Sequence, residues 1–411
     1  VAEPPASPAR NPQADDRLAA GTPAFQRANL AMFVGGFATF ALLYGTQPML
    51  PLFAASFGIS PARASLAVSA GTAALALALI PASVLADRIG RRPVMKAALA
   101  VAAVLSMGAA LITDFNQLLV LRALLGAALA GLPAAAMAYL GEEVAPNAQG
   151  RAMGLYIAGN ALGGMSGRVL AAVLTEWGSW RIALAVLGAL GVVAAIVFWQ
   201  RLPPSRHFSP RAASLGRLAR DARTLFADAG LPWLFLTAFL AMGAFVGLYN
   251  YLGFRLGDAP FGLGQSVIGA VFLLYIVGTW ASAWAGALAD RHGRRNVQWI
   301  MVSIMLAGLL LTLPDNLPVV IAGVAVFTFG FFATHSLASG WVGRRAQDRR
   351  ALGAAIYLSC YYLGSSIIGS VSGVAWHDGR WAAVVAILGV CAGATLLIAL
   401  WLRRLAPIGS D

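Results

Sequence analysis

Two arginines, one histidine and six uncharged polar residues stand inside stretches that otherwise carry almost no charge. They are Arg122, Arg168 and His335, with Tyr44, Gln47, Asn160, Tyr249, Asn250 and Tyr361. A guanidinium stays protonated in a protein, so a buried one must be met by carbonyls, water or an anion. His335 alone among them titrates near neutral pH, which fits either a proton carrier or a histidine satisfied by its packing partners. The amides and phenols offer hydrogen bonds to a polar solute, or equally to a neighbouring helix. A missing group is as informative as those present. All 16 carboxylates fall in tails, loops or the edges of apolar stretches. No Asp or Glu is therefore placed to hold a cation or a proton at mid-depth, and the pattern favours a neutral or anionic solute over a lipophilic cation.

No constellation for covalent chemistry accompanies these residues. The sequence has no HExxH, no clustered His and no G-x4-G-K-[ST] loop, so neither a metalloenzyme nor an ATP-driven machine is expected. Cys360 and Cys391 lie in apolar runs without CxxC or Cys/His spacing, which reads as packing. The expectation is a protein with no catalytic residues, no metal and no cofactor.

The elements that must position the polar residues are membrane spans. Mean hydropathy is +0.76, and twelve apolar runs can be drawn, at about 28–47, 64–86, 95–113, 116–140, 151–175, 180–200, 232–254, 266–288, 297–313, 318–341, 351–375 and 380–401. Each has the length a helix needs to cross about 30 Å of hydrocarbon. None alternates in polarity as a β-barrel strand would. The net charge of +13 is a matter of topology. Of 29 basic residues, 23 lie in the two tails and in the loops after spans 2, 4, 6, 8 and 10. Only Arg63, Arg181, Arg255 and Arg380 lie on the other side. Basic residues collect on the cytoplasmic side, so both termini are expected there and a nucleic-acid partner is not. From the outer end of their helices, Arg122 and Arg168 are each roughly 10 Å deep, and His335 is about 9 Å from the inner end of its own.

The chain also repeats itself. LADRIGRR, Leu85 to Arg92, returns as LADRHGRR, Leu288 to Arg295. Arg151-Ala-Met-Gly154 returns as Arg350-Ala-Leu-Gly353, and Trp177 and Arg181 return as Trp376 and Arg380. An all-α polytopic membrane protein is expected, with two pseudo-symmetric six-helix bundles over 28–200 and 232–405. A basic linker over 201–231 joins them, its second part amphipathic, between tails over 1–27 (disordered) and 406–411. Spans 3, 6, 9 and 12 are apolar all round and belong outside or in deep core. Spans 1, 5, 7, 10 and 11 carry the polar residues and belong around a central path. Small residues at helical spacing, Asn160, Gly163, Gly164 and Gly167 on span 5 and Ser365, Gly369 and Gly373 on span 11, suit close helix packing.

These motifs resemble the major facilitator superfamily of transporters. The family's G-x-L-a-D-r-x-G-r-k turn is matched by Asp87, Arg88, Gly90 and Arg91, with Ser83 in place of its leading Gly. The second copy supplies Gly286, Asp290, Arg291, Gly293 and Arg294. The resemblance implies a cytoplasmic gate in which Asp87 faces the start of helix 11, and pseudo-symmetry puts Asp290 near the start of helix 5. Arg91 and Arg294 would then pair with Glu142, Glu143 or Asp348. The R-x-x-q-G motif of proton-linked members keeps Arg122 and Gly126 but has Leu125 for Gln, implying a structural or coupling role for Arg122. The helix 5 antiporter motif keeps Gly154, Gly163 and Gly167 but has Arg168 for Pro. GNALGGMSGR, SRHF and YYLGSSI are similar to a bacterial inner-membrane efflux branch of the family. The implied function is proton-coupled efflux of a small polar neutral or anionic solute, such as a sugar, organic acid or drug-like compound, by a monomer in the lipid bilayer. Uptake of an anionic metabolite by the same fold is the alternative.

Overall fold

The computed structural model describes residues 17–210 and 215–405. Its helices are α1 (Pro23–Phe57), α2 (Pro61–Ile89), α3 (Arg91–Leu111), α4 (Phe115–Glu143), α5 (Pro146–Trp177) and α6 (Trp180–Arg201), then α7 (Leu231–Gly257), α8 (Gln265–His292), α9 (Arg294–Leu311) and α10 (Leu317–Arg345). The last stretch breaks at Gly379 and Arg380 into α11 (350–378) and α12 (381–402). A linker helix, Leu215–Ala227, lies between α6 and α7. Among the described residues, ten continuous stretches are long and apolar enough to cross a membrane. The break at Gly379–Arg380 makes two of one, and α9 completes the twelve expected spans.

Local sequence explains where the helices begin and stop. Thr22, Ser60, Asp114, Ser179 and Asn316 accept a backbone N–H from the first turn that follows them. Pro23, Pro61 and Pro146 follow their caps directly, where the missing N–H costs nothing. Gly90 and Gly293, the glycines of the repeated turn, adopt φ of +107° and +79°. The invariance of Gly between the two copies therefore has a backbone cause.

α1 is interrupted. After Tyr44 it passes through Gly45 into a 3₁₀ turn at Gln47–Met49 before resuming at Leu50. Pro48 and Pro51 have no N–H to return to the preceding turn. The break puts Gln47 and free carbonyls of α1 at the place where the two halves meet.

The ordered chain begins earlier than position 28. Leu18 N donates to the Glu143 carbonyl at 2.8 Å and Ala145 N to the Leu18 carbonyl at 3.1 Å, and α1 starts at Pro23. The expected disordered tail is corrected to that extent; residues 1–16 and 406–411 lie outside the described residues.

Packing inside each half rests on small residues. The α5 glycines Gly159, Gly163 and Gly167 lie on the α1 backbone at Phe33, Phe37 and Ala41, and a Cβ on Gly167 would come within 2.6 Å of the Ala41 Cα. Gly364 of α11 abuts the Phe239 backbone of α7 in the same way. α7 is the most enclosed helix, with every residue from Ala241 to Leu256 buried. Val104, Val193, Leu310 and Val390, from α3, α6, α9 and α12, are exposed and apolar, as a lipid-facing surface requires.

The end of the molecule bearing the two charged turns is called the turn end, and its opposite the far end. The halves touch in the middle and toward the far end. Ser366 Oγ donates to the Ser69 carbonyl at 3.0 Å and Ser370 Oγ to Ser69 Oγ at 2.7 Å, stitching α11 to α2. Glu176 of α5 accepts the Ser266 N–H of α8, and Gln265 donates to the Pro48 carbonyl.

Candidate functional site

At the break in α1 the two halves exchange a side-chain hydrogen bond. Gln47 Nε2 donates to Asn250 Oδ1 at 2.8 Å, and the two residues are 203 positions apart. That separation equals the offset of the repeated turn, and the bond joins α1 of one half to α7 of the other. Both are buried. The other face of Gln47 holds Arg168, whose Nε donates to Gln47 Oε1 at 2.6 Å while Nη1 donates to the Gly164 carbonyl at 2.6 Å. The guanidinium carbon lies 4.2 Å from the Tyr44 ring centroid, 5.0 Å from Tyr275 and 5.3 Å from Phe272. Arg168 is 2% exposed, and among the described residues no carboxylate pairs with it. A cation removed from water is here held by one neutral amide, one carbonyl and three ring faces.

The rings continue into the second half. Tyr249 packs on Phe272 at 5.1 Å and Tyr275 at 5.3 Å, and its hydroxyl is 2.9 Å from Thr328 Oγ1. Phe245 lies between Tyr249 and Phe331, 3.8 Å from the latter. Phe331 then stacks on His335, which sits 4.6 Å from the Tyr361 ring with Nδ1 3.0 Å from the Tyr357 hydroxyl. His335 and Tyr361 are only partly buried. Tyr44, Gln47, Arg168, Tyr249 and Asn250 thus form one cluster, and His335 and Tyr361 join it through a ladder of rings. Several polar atoms of the cluster have no partner: the hydroxyls of Tyr44 and Tyr275 and the Asn250 Nδ2.

Asn160 is elsewhere. It lies beside Gly36 and Tyr156 in the α1–α5 contact, its Oδ1 without a partner, and it does not reach Arg168 or Gln47. Sequence reasoning missed Phe272, Tyr275, Phe245 and Thr328. They carry no charge and sit in apolar runs, so only their convergence in space marks them.

Arg122 is bound differently. Its Nε and Nη1 donate to the Ala67 and Leu42 carbonyls, each at 2.8 Å, and Nη2 donates to the Leu43 carbonyl. The α1 break frees the Leu42 and Leu43 carbonyls from their usual acceptor duty. Gly126, one turn on, lies directly against the Gly71 backbone of α2. Arg122 therefore ties α1, α2 and α4 of one half together, as the structural reading of the motif implies.

At the turn end the implied cross-half contacts are not made. Asp87 pairs with Arg91 of its own turn, and Arg91 reaches Glu142 at 3.1 Å. Arg88 is exposed. Glu143 accepts the His207 N–H at 2.9 Å and lies 3.1 Å from His207 Nδ1. Asp290 lies 3.6 Å from Arg294 and 3.9 Å from Arg344, and Arg291 is exposed. The expected placing of Asp87 against the start of α11, and of Asp290 against the start of α5, is corrected: both acids are held by their own half. The expected pairing of Arg91 with Glu142 is present, whereas Arg294 meets Asp290 of its own turn. The reason is local: each acid has an arginine one helical turn on in its own repeat, Arg91 for Asp87 and Arg294 for Asp290, and that arginine takes it up.

The model of the Major Facilitator Superfamily matches residues 32–284. The chain is 43% identical to the inner membrane transport protein YnfM of Escherichia coli, over 93% of this chain and 92% of that one. It is 41% identical to the MFS-type transporter YybF of Bacillus subtilis, over 93% and 94%. A bacterial homologue of the human lysosomal transporter Spinster, solved in an inward-facing unoccupied conformation, superposes with a TM-score of 0.78 at 17% identity, covering 94% of this chain and all of that one. Twelve helices, a half-chain repeat, the duplicated turn and these matches agree: the chain belongs to the Major Facilitator Superfamily of membrane transporters.

Proposed function

We propose that this transporter exports a small polar solute, neutral or anionic, by alternating access coupled to protons. The observation that carries the reading is Arg168. It is a fixed positive charge where the halves meet, paired with no carboxylate among the described residues, and next to unpartnered hydroxyl and amide groups. Such a site repels a cation and offers donors to an anion or a polar neutral compound. The excess of basic residues at the turn end supports a cytoplasmic location for that end. His335, beside the path and bound to the Tyr357 hydroxyl, is the proposed proton carrier.

Proteoliposomes with an imposed pH gradient test the reading. Solute movement driven by the gradient is expected, with its pH dependence lost in His335→Gln. Robust transport of a lipophilic cation that survives Arg168→Ala would sink the anion-or-neutral assignment. Counterflow in both gradient directions separates export from uptake of an anionic metabolite through the same site.

A further inference from the structure

Arg168 is fastened by a group that an anion would displace. Its Nε bond goes to a neutral amide oxygen, Gln47 Oε1, and a carboxylate is the stronger acceptor for a guanidinium. Gln47 is also the residue that reaches across to Asn250. About one helical turn nearer the turn end than Tyr44 and Thr328, the guanidinium cage is flanked by two partly buried rings, one from each half. Phe40 of α1 stacks on Tyr44 at 6.2 Å, and Phe332 of α10 meets Tyr275 edge-on at 5.6 Å. Rings of this kind prefer another ring to a saturated group of equal size. No described carboxylate is present to oppose an anion.

Resting on the transport reading above, we infer that the cargo is an aromatic monocarboxylate. Its carboxylate takes the place of the Gln47 side chain on Arg168, and its ring lies between Phe40 and Phe332. The exchange is a pure substitution of hydrogen-bond acceptors, with no covalent step. It has a mechanical consequence. Once Gln47 is released from Arg168, the Gln47–Asn250 link loses its anchor on α5, so loading weakens one of the contacts that join the halves. Arg122 offers no such exchange, because three carbonyls of its own half already saturate it.

The test is equilibrium binding to the purified full-length protein in detergent. The probes are 3-phenylpropionate, 3-cyclohexylpropionate, 3-phenyl-1-propanol and 3-phenylpropylammonium. The phenyl acid is expected to bind about ten- to a hundredfold tighter than the alcohol or the amine, the range of a hydrogen bond to a charged group. It should bind about three- to tenfold tighter than the cyclohexyl acid. Arg168→Gln should abolish the preference for the acid. Gln47→Ala should tighten acid binding, because the competing acceptor is gone; a merely structural Arg168–Gln47 pair would instead weaken it. Phe40→Leu and Phe332→Leu keep the charge, so they should erase only the preference for phenyl over cyclohexyl. Equal binding of acid and alcohol, or unchanged acid affinity in Arg168→Gln, overturns the inference. Binding of a neutral aldopentose with no response to any acid overturns it too, yet leaves the transport reading standing. Cation transport independent of Arg168 overturns both.

Discussion

LADRIGRR and LADRHGRR differ at one position in eight, yet the folded protein treats them unequally. In the first turn Asp87 is 29% exposed and Arg91 bridges it to Glu142. Phe208 of the linker covers the Arg91 guanidinium at 5.7 Å. In the second turn Asp290 is 65% exposed and its two arginines approach no closer than 3.6 Å. The cause lies outside the repeated words. Gly141-Glu142-Glu143 at the end of α4 corresponds to Gly343-Arg344-Arg345 at the end of α10. Acid in one half is base in the other. The same inversion fastens the linker: Glu143 holds His207 at its start, and Arg345 holds Asp228 at its end through bonds of 2.8 and 2.9 Å. Equivalent positions of opposite charge thus grip opposite ends of one connection. The lesson is that a duplicated motif conserves its backbone, here the positive-φ glycine, while its neighbours decide its electrostatics.

Substitutions that separate the two turns rank by burial. Arg91→Ala strips Glu142 and Asp87 of a largely buried partner, and a loss of about 2–3 kcal/mol is expected in the unfolding free energy in detergent. Arg294→Ala, in the more exposed turn, should cost less than about 1 kcal/mol; equal losses would dissolve the contrast. Next in size is the linker grip. Arg345→Ala should cost about 1–2 kcal/mol and speed proteolysis within the linker. A double-mutant cycle with Asp228→Asn should show coupling, and strict additivity would remove the pair from the account. Glu142→Arg, which rewrites the first turn in the charges of the second, should lower stability by about the same amount and leave Glu142→Gln intermediate.

The pH response of the grip has a definite sign. Partial burial raises the Asp228 carboxyl, but the Arg345 side chain and the backbone N–H groups of Gly230 and Leu231 outweigh it and hold the group below the usual carboxylate range. A depressed folded value contributes stability above the unfolded value, near pH 4, and that stability is lost as pH falls through the folded one. Linker protection from protease should therefore persist at pH 5 and fade only in stronger acid. Asp228→Asn should flatten that response. The smallest effect is expected for Asp290→Asn, within about 0.5 kcal/mol of the parent; a larger loss would show that the second turn is less exposed in solution.

Much of the architecture was legible because membrane burial imposes coarse rules. Twelve apolar runs, the placement of basic residues and the half-chain offset needed no tertiary information, since each follows from hydrocarbon thickness or duplication. The α1 interruption was less visible. Gly45, Pro48 and Pro51 signal it, but a run of 28–47 conceals that the helix resumes after Met49. Of the polar residues singled out by type, Tyr44, Gln47, Tyr249 and Asn250 cluster about Arg168, whereas Asn160 faces Gly36. On one helix a residue's face is readable from spacing; which neighbour occupies that face is not.

The sequence by itself determined the class of machine, the existence of two related halves, the shared turn and the lack of a mid-membrane carboxylate. These depend on composition, period and repetition, which are properties of the chain alone. Only the tertiary structure decided that Arg122 is spent on carbonyls while Arg168 rests on rings and an exchangeable amide. It alone showed that Gln47 and Asn250, from opposite halves, meet face to face. A buried charge takes its meaning from the groups within hydrogen-bonding distance, and in this fold those groups come from helices far apart in sequence.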